Sequence, residues 1–124
     1  KNVKITADIQ SASVFGVAQI LDEMVYNLCD NAIKYNVEGG SVSVELKNVN
    51  GGACLTVRDT GIGIPKSDQQ RVFERFYRVD KSHSKEIGGT GLGLSIVKHA
   101  ALFHGATVTL ESEPGKGTTV RVQF

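Results

Sequence analysis

Alternating hydrophobicity on both sides of Asn50-Gly51-Gly52 fixes a β-hairpin in the middle of this chain. Val42, Val44 and Leu46 share one face before the turn, and Cys54 to Arg58 resumes the alternation after it. Asn-Gly between two such runs is a strong hairpin signal, because both residues tolerate the positive φ that a tight turn needs. Helical periodicity precedes the hairpin. Leu21, Val25, Leu28 and Ala32 recur at spacings of four, three and four, so a helix from about Ser13 to Asn36 presents them on one face. Gly39-Gly40 stops that helix. Upstream, Ile5, Ala7 and Ile9 alternate with Lys4, Thr6 and Asp8, which predicts a half-buried strand. Downstream, Leu92 to His104 reads as a second helix ended by Gly105. Val108 to Glu111 and Thr118 to Phe124 then alternate around the turn Glu113-Pro114-Gly115-Lys116-Gly117. The order strand, helix, hairpin, loop, helix, hairpin predicts an α/β (α+β) two-layer sandwich. Its sheet is mixed but mostly antiparallel, with helices over one face.

At 124 residues the chain fits one domain, 1–124, with no internal repeat or linker. Hydrophobic residues at 40% and charged residues at 22% exclude a disordered tail. Fourteen basic side chains against 13 acidic ones give no electropositive face, so no nucleic-acid partner is expected. No apolar run approaches the roughly 18 residues of a membrane helix, and the alternating first stretch leads to the expectation of no signal peptide. Cys29 and Cys54 form no CxxC pair, which argues for reduced thiols in a cytoplasmic protein. The chain begins at Lys1 rather than Met, so it is expected to be a piece of a longer protein.

Glycine concentrates at the junctions: Gly61 and Gly63, then Gly88, Gly89, Gly91 and Gly93, then Gly115 and Gly117. Glycine suits backbone that takes positive φ or approaches a ligand closely. Gly91 and Gly93 directly precede a helix, whose first N–H groups lack partners and attract phosphate. Turns and caps alone would also use glycine. The familiar phosphate loops do not fit: Gly88, Gly93 and Ser95 match a P-loop, but Leu94 stands where its Lys is required, and no GxGxxG occurs.

On the first helix Asn27, Asn31 and Lys34 share a stripe beside the apolar face. Amide oxygens are hard ligands suited to Mg²⁺, and a lysine one turn on can reach a phosphate oxygen. A solvated helix face is the alternative. Asp59 ends a strand before Thr60-Gly61-Ile62-Gly63. It is either a turn residue or an acceptor for an amino group, as on adenine, with Tyr35 and Ile64 offering apolar contact to a base.

These segments carry a resemblance. Asn27-Leu28-Cys29-Asp30-Asn31-Ala32-Ile33-Lys34-Tyr35 resembles the N box of sensor histidine kinases, and Asp59-Thr60-Gly61-Ile62-Gly63-Ile64 their first glycine box. Phe73-Glu74-Arg75-Phe76-Tyr77-Arg78 resembles the F box, Gly89-Thr90-Gly91-Leu92-Gly93-Leu94 the second glycine box, and Gly115-Lys116-Gly117-Thr118 a third. The five occur in family order over essentially the whole chain. The chain thus resembles the catalytic ATP-binding domain of a two-component sensor kinase, with the Bergerat fold of gyrase-like and Hsp90-like (GHKL) ATPases. The short loop and Arg78-Val79-Asp80-Lys81 resemble sensor kinases of the phosphate-sensing type.

The resemblance implies ATP and Mg²⁺ as cofactors, with Asn31 and Asn27 on the metal and Lys34 on phosphate. Tyr35 would pack on adenine, Asp59 would accept its amino group, and Gly61, Gly63, Ile64 and Thr118 would line the base site. Residues 66–88 would form a mobile ATP lid that tightens around a triphosphate, carrying Arg78 to the γ-phosphate. Gly89, Thr90, Gly91, Leu92, Gly93 and Leu94 would cradle the phosphates. Phe73, Phe76 and Tyr77 either dock the neighbouring domain or belong to the core.

The family phosphorylates a histidine on a separate dimerisation domain, and none of His83, His99 and His104 sits in that sequence context. The implied partners are therefore ATP, the dimerisation and phosphoacceptor domain of the same parent kinase and, indirectly, a response regulator. The parent would be a membrane-anchored homodimer and this piece a monomer in the cytoplasm. Where gyrase-like relatives carry a water-activating Glu, one helical turn before the metal Asn, this chain has Asn27. Negligible intrinsic ATPase activity is expected. The alternatives are a nucleotide-regulated docking module without catalysis, and a GHKL ATPase or serine kinase.

Overall fold

The computed structural model describes residues 2–74 and 93–124. Its strands are β1 (Lys4–Ile9), β2 (Ser41–Val49), β3 (Gly52–Asp59), β4 (Thr107–Glu113) and β5 (Gly117–Gln123). Two helices, α1 (Ala18–Lys34) and α2 (Gly93–Phe103), and one 3₁₀ turn at Lys66–Asp68 complete the described elements. The sheet order is β1-β2-β3-β5-β4. β1 and β2 run parallel, joined through α1, and the other three pairings are antiparallel. This is the predicted two-layer sandwich with a mixed sheet.

Each hairpin closes where its turn residues allow. Asn50 and Gly51 both have positive φ, at 54° and 79°, so β2 and β3 join through the predicted two-residue turn. α2 ends in a Schellman pattern: Gly105, at φ 68°, donates to Leu102 O, and Ala106 donates to Ala101 O at 2.8 Å.

The core lies between the helices and one sheet face. Met24, Leu28 and Ala32 of α1 and Val97, Ala100 and Ala101 of α2 pack on Val42, Leu55, Val57, Val120 and Val122. Three expectations change here. The buried stripe of α1 is centred on Met24 rather than Val25, which is 37% exposed, because Val25 stands a helical step off the Met24–Leu28–Ala32 line. α1 begins at Ala18, five residues later than Ser13, and Phe15 lies outside it, fully exposed. β1 is exposed along its whole length rather than half buried, because it is an edge strand that neither helix covers.

β-strand alternation sets up the site. On β3, Leu55 and Val57 face the core and Asp59 follows on the same side; on β5, Val122 and Val120 lead to Thr118; on β4, Val108 and Leu110 lead to Ser112. Ser112 pairs with Thr118, and Arg58 with Thr119. Three apolar rows therefore end in three adjacent polar residues at one edge of the core.

Candidate nucleotide site

Asp59 is held by the backbone. Its Oδ1 accepts the Gly61 N–H at 2.9 Å and the Thr118 N–H at 3.1 Å. Burial pushes its carboxyl up from the ordinary value, against the lowering effect of those two hydrogen bonds. With Oδ1 occupied, Oδ2 is the oxygen left to accept from a ligand.

The glycines around Asp59 are required by close packing. A Cβ on Gly61 would stand 2.3 Å from Tyr35 O, one on Gly63 2.2 Å from Glu113 O, and one on Gly117 2.0 Å from Asp59 O. Gly63 and Gly117 also have positive φ, at 73° and 117°. Ile62 donates to Tyr35 O at 3.0 Å, which ties the loop to the end of α1. The predicted neighbours Tyr35, Asp59, Gly61, Gly63, Ile64 and Thr118 thus share one end of the sheet. Tyr35 is half buried just beyond the last turn of α1.

The Asn stripe of α1 meets α2. A Cβ on Gly93 would stand 3.0 Å from Asn31 Nδ2 and 3.2 Å from its Oδ1, so the amide of Asn31 lies against the first residue of α2. One turn back, Asn27 Nδ2 donates to Glu23 O at 2.7 Å. One of its two amide N–H groups is thereby spent on its own helix, and its Oδ1 is an acceptor. Both amides are half buried. Amide oxygens on this stripe, with Asn31 against the first residue of α2, suit Mg²⁺ held partly by phosphate and water.

Lys34 is the last residue of α1. Its Nζ pairs with Asp30 Oδ2 at 3.0 Å, and the hydrogen bond raises its pKa above the ordinary lysine value. Leu94 differs from the expectation. Its side chain packs against the core, so only its backbone is available to a ligand. Arg78, Gly89, Thr90, Gly91 and Leu92 lie outside the described residues, as do Phe76, Tyr77, His83 and most of the expected lid. Phe73 is half buried and Val72 buried. His99 is exposed, whereas His104 is built into the structure, accepting the Val17 N–H on Nε2 at 3.1 Å.

The sequence reading missed Ser112 and Gln69. Ser112 Oγ accepts the Ile64 N–H at 2.8 Å, and Gln69 Nε2 donates to Ile64 O at 2.9 Å and Ser112 O at 3.0 Å. A serine ending an otherwise apolar row on β4 was the available signal.

A mixed sheet under two helices, with a carboxylate and a glycine loop at one end and helix amides meeting a helix N-terminus, defines a nucleotide-binding ATPase-type domain. The family described as histidine kinase-, DNA gyrase B-, and HSP90-like ATPase matches residues 16–124. The chain belongs to that family. It is 47% identical over 118 residues to the sensor-like histidine kinase SenX3 of Mycolicibacterium smegmatis, covering 94% of this chain and 31% of that protein. It is 45% identical over 106 residues to the sensor histidine kinase WalK of Bacillus subtilis, covering 84% of this chain and 17% of that one. Among solved structures, the mycobacterial sensor histidine kinase MprB superposes with a TM-score of 0.88 at 32% identity, over 99% of this chain and 83% of that one. Full-length ShkA in complex with AMPPNP gives a TM-score of 0.80 at 27% identity, over 98% of this chain and 25% of that chain. The chain thus spans less than a third of the curated sensor kinases it matches. Among the described residues, no helix is long and apolar enough to cross a membrane.

Proposed function

We propose that residues 1–124 are the ATP-binding catalytic domain of a sensor histidine kinase, which donates the γ-phosphoryl group of ATP to a histidine on a separate dimerisation domain. The observation that carries this reading is the contact between the Asn31 amide and Gly93, which sets the polar stripe of α1 against the first residue of α2. Asp59 Oδ2 would accept the adenine amino group, beside Tyr35, Gly61, Gly63, Ile64 and Thr118. Asn31 and Asn27 would hold Mg²⁺ through their amide oxygens, and the α2 N-terminus at Gly93 would face phosphate. The metal, when bound, neutralises charge on the phosphate oxygens.

Lys34 would turn from Asp30 to a phosphate oxygen when nucleotide binds. Arg78, with the backbone from Gly89 to Leu94, would complete the phosphate site on a lid spanning 66–88. In the transfer, a neutral imidazole nitrogen attacks the γ-phosphorus, the P–N bond forms, and the bond to the β-phosphate oxygen breaks to release ADP. The chain supplies positioning and charge neutralisation rather than a base, because a neutral nitrogen needs none. Asn27 is an amide, and no water-activating carboxylate stands in its place, so hydrolysis is negligible. The parent would be a membrane-anchored homodimer signalling to a response regulator.

The test is incubation of the chain with γ-labelled ATP, Mg²⁺ and a helical-hairpin domain carrying the acceptor histidine. Acid-labile label on that domain is expected, lost with Asn31→Ala or Asp59→Asn. Steady release of phosphate without label on the hairpin would favour an ATPase, and nucleotide binding without transfer a docking module.

A further inference from the structure

β1 is the end strand of the sheet, and its far edge has no partner strand among the described residues. All six of its residues are exposed, Ile5 at 56% and Ile9 at 58%. Lys4 donates its N–H to Gly40 O and Gln10 donates to Leu46 O, so the even-numbered residues turn their backbone groups toward β2. The N–H and C=O groups of Ile5, Ala7 and Ile9 therefore point away from the sheet. Such an unpaired row is a template for another strand.

The side chains decide which strand fits. Lys4, Thr6 and Asp8 share the face of Ser41, Ser43 and Glu45, which the helices leave open; Ile5, Ala7 and Ile9 share the helix-side face of Val42, Val44 and Leu46. Laid antiparallel on a second copy about Thr6, Lys4 meets Asp8 of the copy, and Asp8 meets its Lys4. Thr6 meets Thr6, Ile5 meets Ala7, and Ile9 meets Val3. The same register sets the outward backbone groups of Ile5 opposite those of Ala7, so ladder hydrogen bonds form together with the side-chain pairs. Charges on an edge strand ordinarily keep copies apart. Here they have opposite signs and lie equally far from Thr6, so they attract. A register centred on Ala7 instead would set Lys4 against Gln10 and Asp8 against Thr6, and both charge pairs would be lost.

We propose that β1 is a self-association edge: two copies of this chain join their sheets antiparallel through β1, about a two-fold axis at Thr6. Both pairs of helices then stand on the same face of one continuous sheet, and neither helix covers β1 to block the approach. Asp8, which also pairs with Lys47 at 3.0 Å in its own copy, comes to lie between two ammonium groups. This departs from the monomer expected of the sequence. Six residues of strand edge bury little area, so the dimer is weak, with a dissociation constant on the order of 10⁻⁴ M.

The test is sedimentation velocity of the 124-residue chain at concentrations on both sides of that value, for wild type, Lys4→Asp, Asp8→Lys and an equimolar mixture of the two variants. Lys4→Asp sets aspartate against aspartate at both ends, and Asp8→Lys sets lysine against lysine. Each alone should associate about 10-fold more weakly than wild type. The mixture restores two opposite-charge pairs across the two-fold, and should associate to within about 3-fold of wild type. Thr6→Cys should give a disulfide-linked dimer on mild oxidation, because residues facing each other at such a position stand about 4.5 Å apart between Cα atoms.

A wild type that stays monomeric throughout, or a mixture no more associated than its two components, would overturn the proposal. Association that the charge reversals leave unchanged would place the contact elsewhere and overturn it equally. All three substitutions lie on an exposed strand, and thermal unfolding of each variant checks that it folds. Should Asp8→Lys fail to fold for want of the Lys47 partner, Thr6→Cys decides: absence of the linked dimer overturns the self-association edge.

Discussion

Thr118 reaches across from β5 to donate its backbone N–H to Asp59 Oδ1 at 3.1 Å, so the carboxylate that ends β3 is oriented by the neighbouring strand. Gly61 fills the same oxygen from the other side. An asparagine at position 59 keeps an oxygen for both donors and loses only the charge. Because burial raises the Asp59 pKa, the folded chain holds this proton more tightly than the unfolded chain does. The stability this group contributes is therefore present below the ordinary carboxylate value and is lost as pH rises through the folded value. Asp59→Asn should thus match or exceed wild-type stability at pH 7, with the gap closing toward pH 4. Urea denaturation at both pH values checks this, and a variant less stable than wild type at pH 7 would contradict it.

The same carboxylate sets the pH dependence of binding. A proton on Oδ2 turns an acceptor into a donor facing an amino group. ADP affinity should therefore fall with acid, beginning above the ordinary carboxylate value because the Asp59 pKa is raised. Asp59→Asn should bind ADP about 10-fold or more weakly and lose this pH dependence. Calorimetric titration from pH 4.5 to 8 decides the point, and identical wild-type and variant profiles would remove Asp59 from the base site.

Gly93 has no positive φ to protect, so alanine there meets no backbone strain. It meets the Asn31 amide instead, at 3.0 and 3.2 Å, and a side-chain amide can yield by a few tenths of an ångström. Gly93→Ala should leave the midpoint of thermal unfolding nearly unchanged while displacing the proposed metal ligand. The expected signature is a loss of about 10-fold in ATP-analogue affinity with Mg²⁺ and a smaller loss without it. Equal losses in both conditions would mean that Asn31 does not act through a metal.

The ion pair of Lys34 with Asp30 competes with its proposed role, since the carboxylate holds the ammonium against α1. A half-exposed pair four residues apart on a helix contributes about 0.3–0.5 kcal/mol, so either substitution should barely affect folding. On nucleotide affinity they should act in opposite directions. Lys34→Met should weaken ADP several-fold, and Asp30→Asn, by releasing the ammonium, should leave it equal or tighter. Weakening by Asp30→Asn comparable to that of Lys34→Met would show that the pair itself holds the site.

Such pairings mark where sequence reasoning ended. The helices and hairpins were legible because they rest on periodicity and on local turn chemistry at Asn50-Gly51 and Gly105, which depend on neighbours in the chain. Asp59, Asn31 and Gly93 stood out as a strand-ending carboxylate, part of a helix stripe and a glycine before a helix, and the order of motifs gave them expected roles, but nothing local says that Asn31 meets Gly93. Exposure of β1 was not legible: alternation at Ile5, Ala7 and Ile9 shows which residues share a face, not whether a helix covers it. Ser112 and Gln69 were missed because their roles are hydrogen bonds between segments far apart in sequence. The engagement of Lys34 was missed because Asp30 was read as part of a motif and not as a partner.

The start of α1 was misplaced for a related reason, and it yields the last prediction. Val17, which precedes the helix, makes no side-chain cap; its N–H is taken by His104 Nε2 at 3.1 Å. Since Nε2 accepts there, the neutral ring carries its proton on Nδ1, which donates to Ala100 O at 2.7 Å. One imidazole thus ties the beginning of α1 to the end of α2, with edge contacts to Phe103 and Phe124. Gly16 is required by the approach, because a Cβ there would stand 2.3 Å from His104 Cδ2 and Nε2. His104→Ala should cost about 2 kcal/mol, from a hydrogen-bonded ring lost at a partly buried junction. Gly16→Ala should cost a similar amount by displacing the same ring. If both act through that ring, the double variant should be little worse than either single one, and urea denaturation of the three variants measures the coupling. Strict additivity would mean that Gly16 serves the chain path before α1 independently of His104.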